Sequence, residues 1–342
     1  MTAPKKLSTR KKVRFAGGCL GLVLLAILAS EGCLRLAGYP TGIVRTFSKL
    51  WNRDPESLAK LPGLFAPSVE RHVAYPPELA YRVRFNASGL RGPELRAEKP
   101  KLRVLALGDS VTFGYHVDDP HTYPAYLREL VGEDVEVVNG GCGSFTITDE
   151  RRYLEERLLK VEPDAVVLQF CANDVGPVEL DRQPSRYEEI LDDPGGGGWF
   201  RSTALGEVQL RAAIALKSWR RGPPQNLGDP AQPVDPTKWA RYAEELGELK
   251  ALLDAREIPL LLVSFTDLDV TRNGKPSPYD GELTRIAGEL GIPYASTLPT
   301  YRAHAEPTEL YLYPLDGHPS ALGNQLLAQV VRELLRSSGV LP

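Results

Sequence analysis

The chain has 342 residues with a formal net charge of −3 at pH 7, and 42% of its residues are hydrophobic and 25% charged. Acids and bases nearly balance outside a basic N-terminus, so the composition predicts no nucleic-acid partner. Four cysteines are too few for a disulfide-based scaffold.

The N-terminus has the pattern of a membrane-targeting segment. Six basic residues and no acidic residue lie between Lys5 and Arg14, and residues 15–29 are then uncharged and almost wholly apolar. This order is typical of a signal sequence or membrane anchor whose basic end stays in the cytoplasm. The apolar run is short against the roughly 20 residues of a spanning helix. Extending it to Ala37 includes Glu31 and Arg35, which are four residues apart and can pair on a helix.

We therefore predict that residues 1–37 form a cytoplasmic tail and an uncleaved signal-anchor, spanning from about residue 13 to residue 37. The rest of the chain is then extracytoplasmic, either periplasmic or extracellular. Cleavage before Cys33 is the alternative, because the residues three positions and one position before it, Ser30 and Gly32, are small, as a signal cleavage site requires. The leucine that a lipoprotein signal carries three residues before its cysteine is absent.

Residues 38–101 have a mixed composition with scattered prolines, which predicts a connector and a small N-terminal lobe beside the main sheet. Residues 81–85 alternate between apolar and charged side chains, as an edge strand does. Residues 86–92 then turn the chain.

Strands alternate with helices from Leu102 to the C-terminus, which predicts one α/β domain over 102–342 with a parallel sheet covered on both faces. A Gly/Pro-rich insertion interrupts it at about 176–233, and the glycine run 195–198 in it indicates a flexible connection. The predicted strands are 104–108, 135–141, 165–170, 259–265 and 292–295. The predicted helices are 123–131, 148–160, 208–219, 236–256, 283–290 and 320–337.

Polar or small residues lie at the ends of these strands or in a loop near the C-terminus, in an order that suits acyl transfer. They are Ser110, Gly141, Asn173, Asp316 and His318. A serine hydroxyl becomes a good nucleophile when a histidine takes its proton, and an aspartate can fix the tautomer of that histidine. The backbone N–H groups of Ser110 and Gly141 and the Asn173 amide are candidate donors to an oxyanion. Singly, each residue also fits an ordinary cap or turn.

On these residues the chain from about Leu102 onward resembles the SGNH/GDSL hydrolase family. The four family blocks are named for their Ser, Gly, Asn and His, which match Ser110, Gly141, Asn173 and His318 in the family order. The resemblance implies a flavodoxin-like three-layer sandwich around a five-stranded parallel sheet, here preceded by the membrane helix. It also implies an ester-cleaving activity with no cofactor.

The sequence departs from the family pattern in two places. Cys171 stands where the third block usually has glycine, and the last block is Asp-x-His where the family usually has Asp-x-x-His. The shorter spacing resembles a branch that includes exopolysaccharide O-acetyltransferases. Because Cys142 and Cys171 neighbour the proposed oxyanion donors, we also expect these cysteines to lie close together, either as a disulfide or as two buried thiols.

The sequence thus predicts an exported, membrane-tethered serine esterase acting on small, acetyl-type esters, with an acyl-ester substrate that includes acylated glycans. The alternatives are an O-acetyltransferase of an envelope or extracellular polysaccharide and a non-catalytic glycan-binding module with a relict site. His116 and His121 are interpreted as part of a solvated loop, and no metal-ligand spacing is recognised. The oligomeric state is left open.

Overall fold

The computed structural model describes residues 9–39, 43–44, 50–73, 79–175, 203–220 and 235–342. The main sheet has five parallel strands, and its strand order is β5-β4-β6-β7-β8. These strands are β4 (Leu102–Gly108), β5 (Val135–Gly141), β6 (Ala165–Phe170), β7 (Leu260–Ser264) and β8 (Tyr294–Ser296). This is the flavodoxin-like 2-1-3-4-5 order, as the sequence predicts. The last strand begins two residues later than expected, after Pro293.

The strand order reverses at β4, since the chain goes to one side of it for β5 and to the other side for β6. A crevice at the carboxyl end of β4 follows from this reversal, and ligands bind at such points in open α/β sheets. Ser110 is the second residue after the end of β4. The topology therefore places Ser110 where the fold class has its binding sites.

Side chains alternate along the strands between two hydrophobic layers, one on each face of the sheet. In β4, Leu105 and Leu107 face the first layer, whereas Val104 and Ala106 face the second. The helices are α1 (Thr9–Leu36), α2 (Pro55–Lys60), α3 (Ser110–Phe113), α4 (Tyr123–Val131), α5 (Ile147–Glu156), α6 (Ala204–Arg220), α7 (Pro236–Asp254), α8 (Leu268–Asn273), α9 (Asp280–Leu290), α10 (Leu298–Arg302) and α11 (Ala321–Ser337). Helices α5, α7 and α9 cover the first face, and α4, α10 and α11 cover the second.

Local capping residues set several helix boundaries. The Asp235 carboxylate accepts the Thr237 N–H group at the start of α7, and Ser320 accepts the Gly323 N–H group at the start of α11. Both helices begin within one residue of their predicted starts. The predicted helix 148–160 is shorter, because α5 ends at Glu156 and a 3₁₀ turn continues to Val161.

The N-terminal region contributes a second sheet of three strands, β1 (Ile43–Val44), β2 (Val69–Val73) and β3 (Tyr81–Phe85). The expected edge strand is β3, which pairs antiparallel with β2. The hydrophobic layer of this region is continuous with that of the main sheet, because Phe65 stacks on Phe85 at 4.6 Å and also contacts Phe113. This region thus packs against α3, the short helix that begins at Ser110.

Helix α1 has one stretch, Arg14–Leu36, that is long and apolar enough to cross a membrane. Its large apolar side chains are exposed, as those of a membrane anchor or a signal sequence would be. The ion pair that the sequence predicts between Glu31 and Arg35 forms, with Arg35 Nε 2.8 Å from Glu31 Oε1. The Glu31 carboxylate also accepts the N–H groups of Ala204 and Leu205 at the start of α6. Of the insertion predicted at about 176–233, residues 176–202 and 221–233, with the glycine run 195–198, lie outside the described residues.

Candidate active site

Ser110 begins a four-residue helix at the end of β4. The side chain of Asp109 caps this helix by accepting the Val111 N–H group at 2.9 Å. A Cβ on Gly108 would lie 2.2 Å from Thr112 Oγ1, so only glycine permits this tight turn from strand to helix. The turn fixes the backbone on both sides of the serine hydroxyl.

His318 and Asp316 lie in the loop that precedes α11 and approach Ser110 from the C-terminal part of the chain. His318 Nε2 is 2.8 Å from Ser110 Oγ, and His318 Nδ1 makes a short contact with Asp316 Oδ1. The backbone N–H of His318 donates to the same carboxylate oxygen at 2.8 Å. Because the loop is also held by a hydrogen bond from Leu312 N to His318 O at 2.9 Å, the imidazole has one orientation.

The charges around His318 favour a basic imidazole. Burial lowers the pKa of His318, but the hydrogen bond and charge of Asp316, with smaller effects of Asp109 and Asp267, raise it above 6.5 overall. Burial raises the pKa of Asp316, yet its contacts with His318 outweigh that effect and lower the pKa to about 2. Asp316 is therefore ionised at neutral pH and can stabilise a protonated His318.

Asn173 lies in the 3₁₀ turn Ala172–Val175, directly after β6. Its Nδ2 atom donates to the Phe145 carbonyl oxygen at 3.0 Å, which ties this turn to the loop after β5. A hydrogen bond from Asn173 also lowers the pKa of Asp109, although burial dominates and raises that pKa. The amide thus lies beside the Gly108-Asp109-Ser110 turn, and its position is held from two sides.

The Gly141 N–H group, which the sequence offers as a candidate oxyanion donor, has a partner in this structure. It donates to Asn139 Oδ1 at 2.9 Å, and it would have to leave that oxygen to serve an oxyanion. A Cβ at this position would lie 2.1 Å from the backbone nitrogen of Phe113. The structure therefore indicates a packing requirement at Gly141, namely the close approach of the end of β5 to α3.

The expected proximity of Cys142 and Cys171 is wrong. Both are buried free thiols, and they belong to hydrophobic layers on opposite faces of the sheet. The strands that precede them, β5 and β6, are separated by β4. Two strand spacings amount to about 9.6 Å, which exceeds the Cα separation of roughly 4.4–6.8 Å in disulfides.

His116 is the residue of this site that sequence analysis misplaced. Its side chain is only 11% exposed, whereas His121 from the same predicted solvated loop is exposed. The His116 ring meets the His318 ring edge-to-face at 5.7 Å, and Nε2 lies 3.6 Å from Asp316 Oδ2. His116 has a left-handed backbone with φ +63°, which is uncommon for residues other than glycine.

A buried arginine holds the loop that carries His116. The Arg91 guanidinium donates to the carbonyl oxygens of Phe113, Gly114 and Val117, and it also pairs with Asp119 at 2.8 Å. Buried charges are tolerated when they are paired and fully hydrogen-bonded in this way. The loop beside the site is therefore a rigid wall.

Comparison with known proteins agrees with this geometry. The model of the GDSL-like lipase/acylhydrolase family matches residues 106–326, which is more than half of the chain. The chain belongs to this family. That range includes Ser110, Asn173, Asp316 and His318.

Individual relatives are distant. An arylesterase of Vibrio mimicus is 27% identical over 106 residues, which cover 29% of this chain and 53% of that protein. The chain thus spans about half the length of this curated relative. A solved structure of a G-D-S-L family lipolytic protein from Desulfitobacterium hafniense has 17% identity and a TM-score of 0.42, covering 69% of this chain and 100% of the other. An acetylxylan esterase from Geobacillus stearothermophilus has 16% identity and a TM-score of 0.42, covering 70% and 96%.

Proposed function

We propose that this protein is a serine esterase that hydrolyses small acyl esters, acetyl esters in the first place. The observation that carries the proposal is the contact of His318 Nε2 with Ser110 Oγ at 2.8 Å, with Asp316 on the other ring nitrogen. Membership of an acylhydrolase family supports the same chemistry. The base lies within hydrogen-bond reach of both the nucleophile and the orienting acid, as acyl transfer requires.

The proposed reaction has two steps. In the first, Ser110 Oγ attacks the ester carbonyl while His318 Nε2 takes the hydroxyl proton and then gives it to the departing alkoxide. In the second, His318 activates a water that attacks the acyl-enzyme, and Ser110 recovers its proton as the acid leaves. Asp316 stays ionised throughout and stabilises the imidazolium that forms in each step.

Asn173 and the Ser110 backbone N–H are the proposed donors to the oxyanion. An Asn amide has two N–H donors, and the bond to Phe145 uses one of them. The second lies toward the Asp109 carboxyl, and it would leave that group to serve a negative oxygen that forms over Ser110. Because Asn173 is held before substrate arrives, it loses little freedom when the charge develops, which is what makes such donors effective.

The proposed preference for small acyl groups rests on the wall beside the nucleophile. The Tyr115 ring lies 5.4 Å from that of His318 and contacts the His116 ring as well. Since the Arg91 hydrogen bonds fix this loop, we expect the wall to limit the acyl chain. Initial rates on p-nitrophenyl acetate, butyrate and octanoate test this, and the proposal requires the acetyl ester to be cleaved fastest.

O-acetyl transfer to a polysaccharide is the second candidate. The two-residue spacing of Asp316 and His318 favours it, because this spacing resembles that of transferase relatives. Transfer and hydrolysis use the same acyl-enzyme and differ in the acceptor. Mass spectrometry of the products from an acetyl donor, with and without oligosaccharides, distinguishes them, and a stable acetylated sugar would favour transfer. Inertness toward all esters would favour a relict glycan-binding module.

We further propose that α1 anchors the protein, with the site outside the cytoplasm. The apolar stretch Arg14–Leu36 has 23 residues, which is enough to span a bilayer. Five of the six basic residues at the N-terminus precede this stretch and the sixth, Arg14, begins it, which favours a cytoplasmic N-terminus.

A further inference from the structure

We propose that the site also binds a transition-metal ion such as Zn²⁺, through His116, Asp316 and His318, and that this ion inhibits the esterase reversibly. The inhibitory part rests on the proposed function, whereas the binding part does not. Each of the three residues offers one donor atom, and these atoms all lie within 4.8 Å of one another. Two imidazoles and one carboxylate are a frequent zinc ligand set.

The spacing of the donors suits such an ion. His116 Nε2 and Asp316 Oδ2 are 3.6 Å apart. Two ligands bound to Zn²⁺ at about 2.0–2.2 Å with a tetrahedral angle lie about 3.4 Å apart. An ion between these atoms therefore needs only a small movement of either side chain.

The proposed reaction uses only one oxygen of Asp316, so Asp316 Oδ2 is available to bind the ion. His318 uses the other oxygen, Oδ1, through both its ring and its backbone N–H. The surroundings are acidic as well, since Asp109 and Asp267 both act electrostatically on His318. Three protein ligands leave a fourth position of the ion for water, as in other open zinc sites.

The backbone at His116 gives a second, independent indication. The left-handed φ of +63° at His116 is uncommon for a residue with a Cβ, and this conformation holds the ring beside His318. Strained residues of this kind are concentrated at functional sites.

Inhibition follows from what the ion would occupy. Zn²⁺ would exchange water ligands for the lone pairs of two neutral imidazoles and one carboxylate oxygen, with no redox change. If it takes Nε2 of His318, that atom cannot accept the proton of Ser110. If it takes Nδ1, the contact with Asp316 is lost. A chelator reverses either arrangement.

The test uses the full-length protein in detergent, in a Cys19→Ser/Cys33→Ser background that removes the two exposed thiols. Calorimetric titration of Zn²⁺ into a Ser110→Ala variant measures binding where no turnover is possible. Esterase rates with Zn²⁺, then with added EDTA, measure inhibition in the protein that retains Ser110. We expect one ion per chain and full recovery with EDTA.

His116→Asn is the decisive variant, since asparagine tolerates the left-handed backbone. It should weaken Zn²⁺ binding and inhibition by at least about tenfold. Removing a residue that only hydrogen-bonds a metal ligand already lowers metal affinity about 10-fold or more, and removing a ligand itself should lower it at least as much. His121→Asn is the matched control, because His121 is exposed and outside the cluster, and it should leave both unchanged. Equal Zn²⁺ binding by the His116→Asn and control proteins, or none at millimolar Zn²⁺, would overturn the proposal. Zinc binding by a protein without esterase activity would refute only the proposed function.

Discussion

His318 Nε2 lies 2.8 Å from Ser110 Oγ although 208 positions separate the two residues in the chain. The contact joins the turn after β4 to the loop before α11. Each side is fixed separately, by the Asp109 cap for Ser110 and by the backbone hydrogen bonds of the loop for His318. The nucleophile and its base therefore meet without any rearrangement.

Replacing Asn173 by alanine should lower kcat for an acetyl ester by about 10²–10³-fold with little change in KM, since one oxyanion donor is lost. Asn273→Ala is the matched control, because Asn273 is exposed at the end of α8. Steady-state kinetics on both variants check this. A rise in KM at constant kcat would mean that Asn173 binds the substrate and does not stabilise the transition state.

The pH dependence should follow His318. Because its pKa is raised above 6.5 and only the neutral imidazole accepts a proton, kcat/KM should fall as the pH drops through that raised pKa. Asp316→Asn removes the main cause of the rise, so the acid limb should move to lower pH, and kcat should fall by up to about 10⁴-fold. Profiles measured with a chelator present check this, with Asp254→Asn as an exposed control. An unmoved acid limb in Asp316→Asn would contradict the assignment.

Gly141→Ala should destabilise the fold, because its Cβ would lie 2.1 Å from the Phe113 backbone nitrogen. Overpacking of this kind costs about 1–3 kcal/mol in the free energy of unfolding. Gly281→Ala in α9 is the control, since its Cβ would have no neighbour within 4 Å and alanine favours a helix. Urea unfolding of both proteins measures the difference. Equal stability would show that the β5 end and α3 can move apart.

Of two reporters fused after Pro342, the one that works only after export should be active and the one that works only in the cytoplasm should be silent. The reason is the basic N-terminus before the apolar part of α1, which favours a cytoplasmic N-terminus. Activity of a reporter that works only in the cytoplasm would reverse the proposed orientation. Replacing the six basic residues between Lys5 and Arg14 with glutamine should weaken the preference for export in the same assay.

Local signals made the fold predictable from the sequence. The strands β4, β6 and β7 are mostly apolar, and caps such as Asp235 and Ser320 mark where helices begin. The residues Ser110, Asn173 and His318 were recognisable because each follows a strand or opens the last helix. Their meeting point follows from the parallel sheet.

What the sequence did not show depends on strand order and backbone conformation. Cys142 and Cys171 follow β5 and β6, and the order of the chain does not reveal that β4 lies between these two strands. The bond from the Gly141 N–H to Asn139 is a local detail of the strand end. His116 belongs to the site because a left-handed residue turns its ring inward, and no periodic pattern reports that.

The central claim is that Ser110 is a nucleophile activated by His318, and covalent labelling tests it most directly. The full-length protein is treated with a fluorophosphonate, digested and mapped by mass spectrometry, beside Ser110→Ala, His318→Ala and the exposed-histidine control His121→Ala. We predict one adduct on Ser110 in the unmodified protein and in His121→Ala, none in Ser110→Ala, and labelling slowed by at least about 10³-fold in His318→Ala. Labelling of another residue, or equally fast labelling of Ser110 in His318→Ala, would contradict the account.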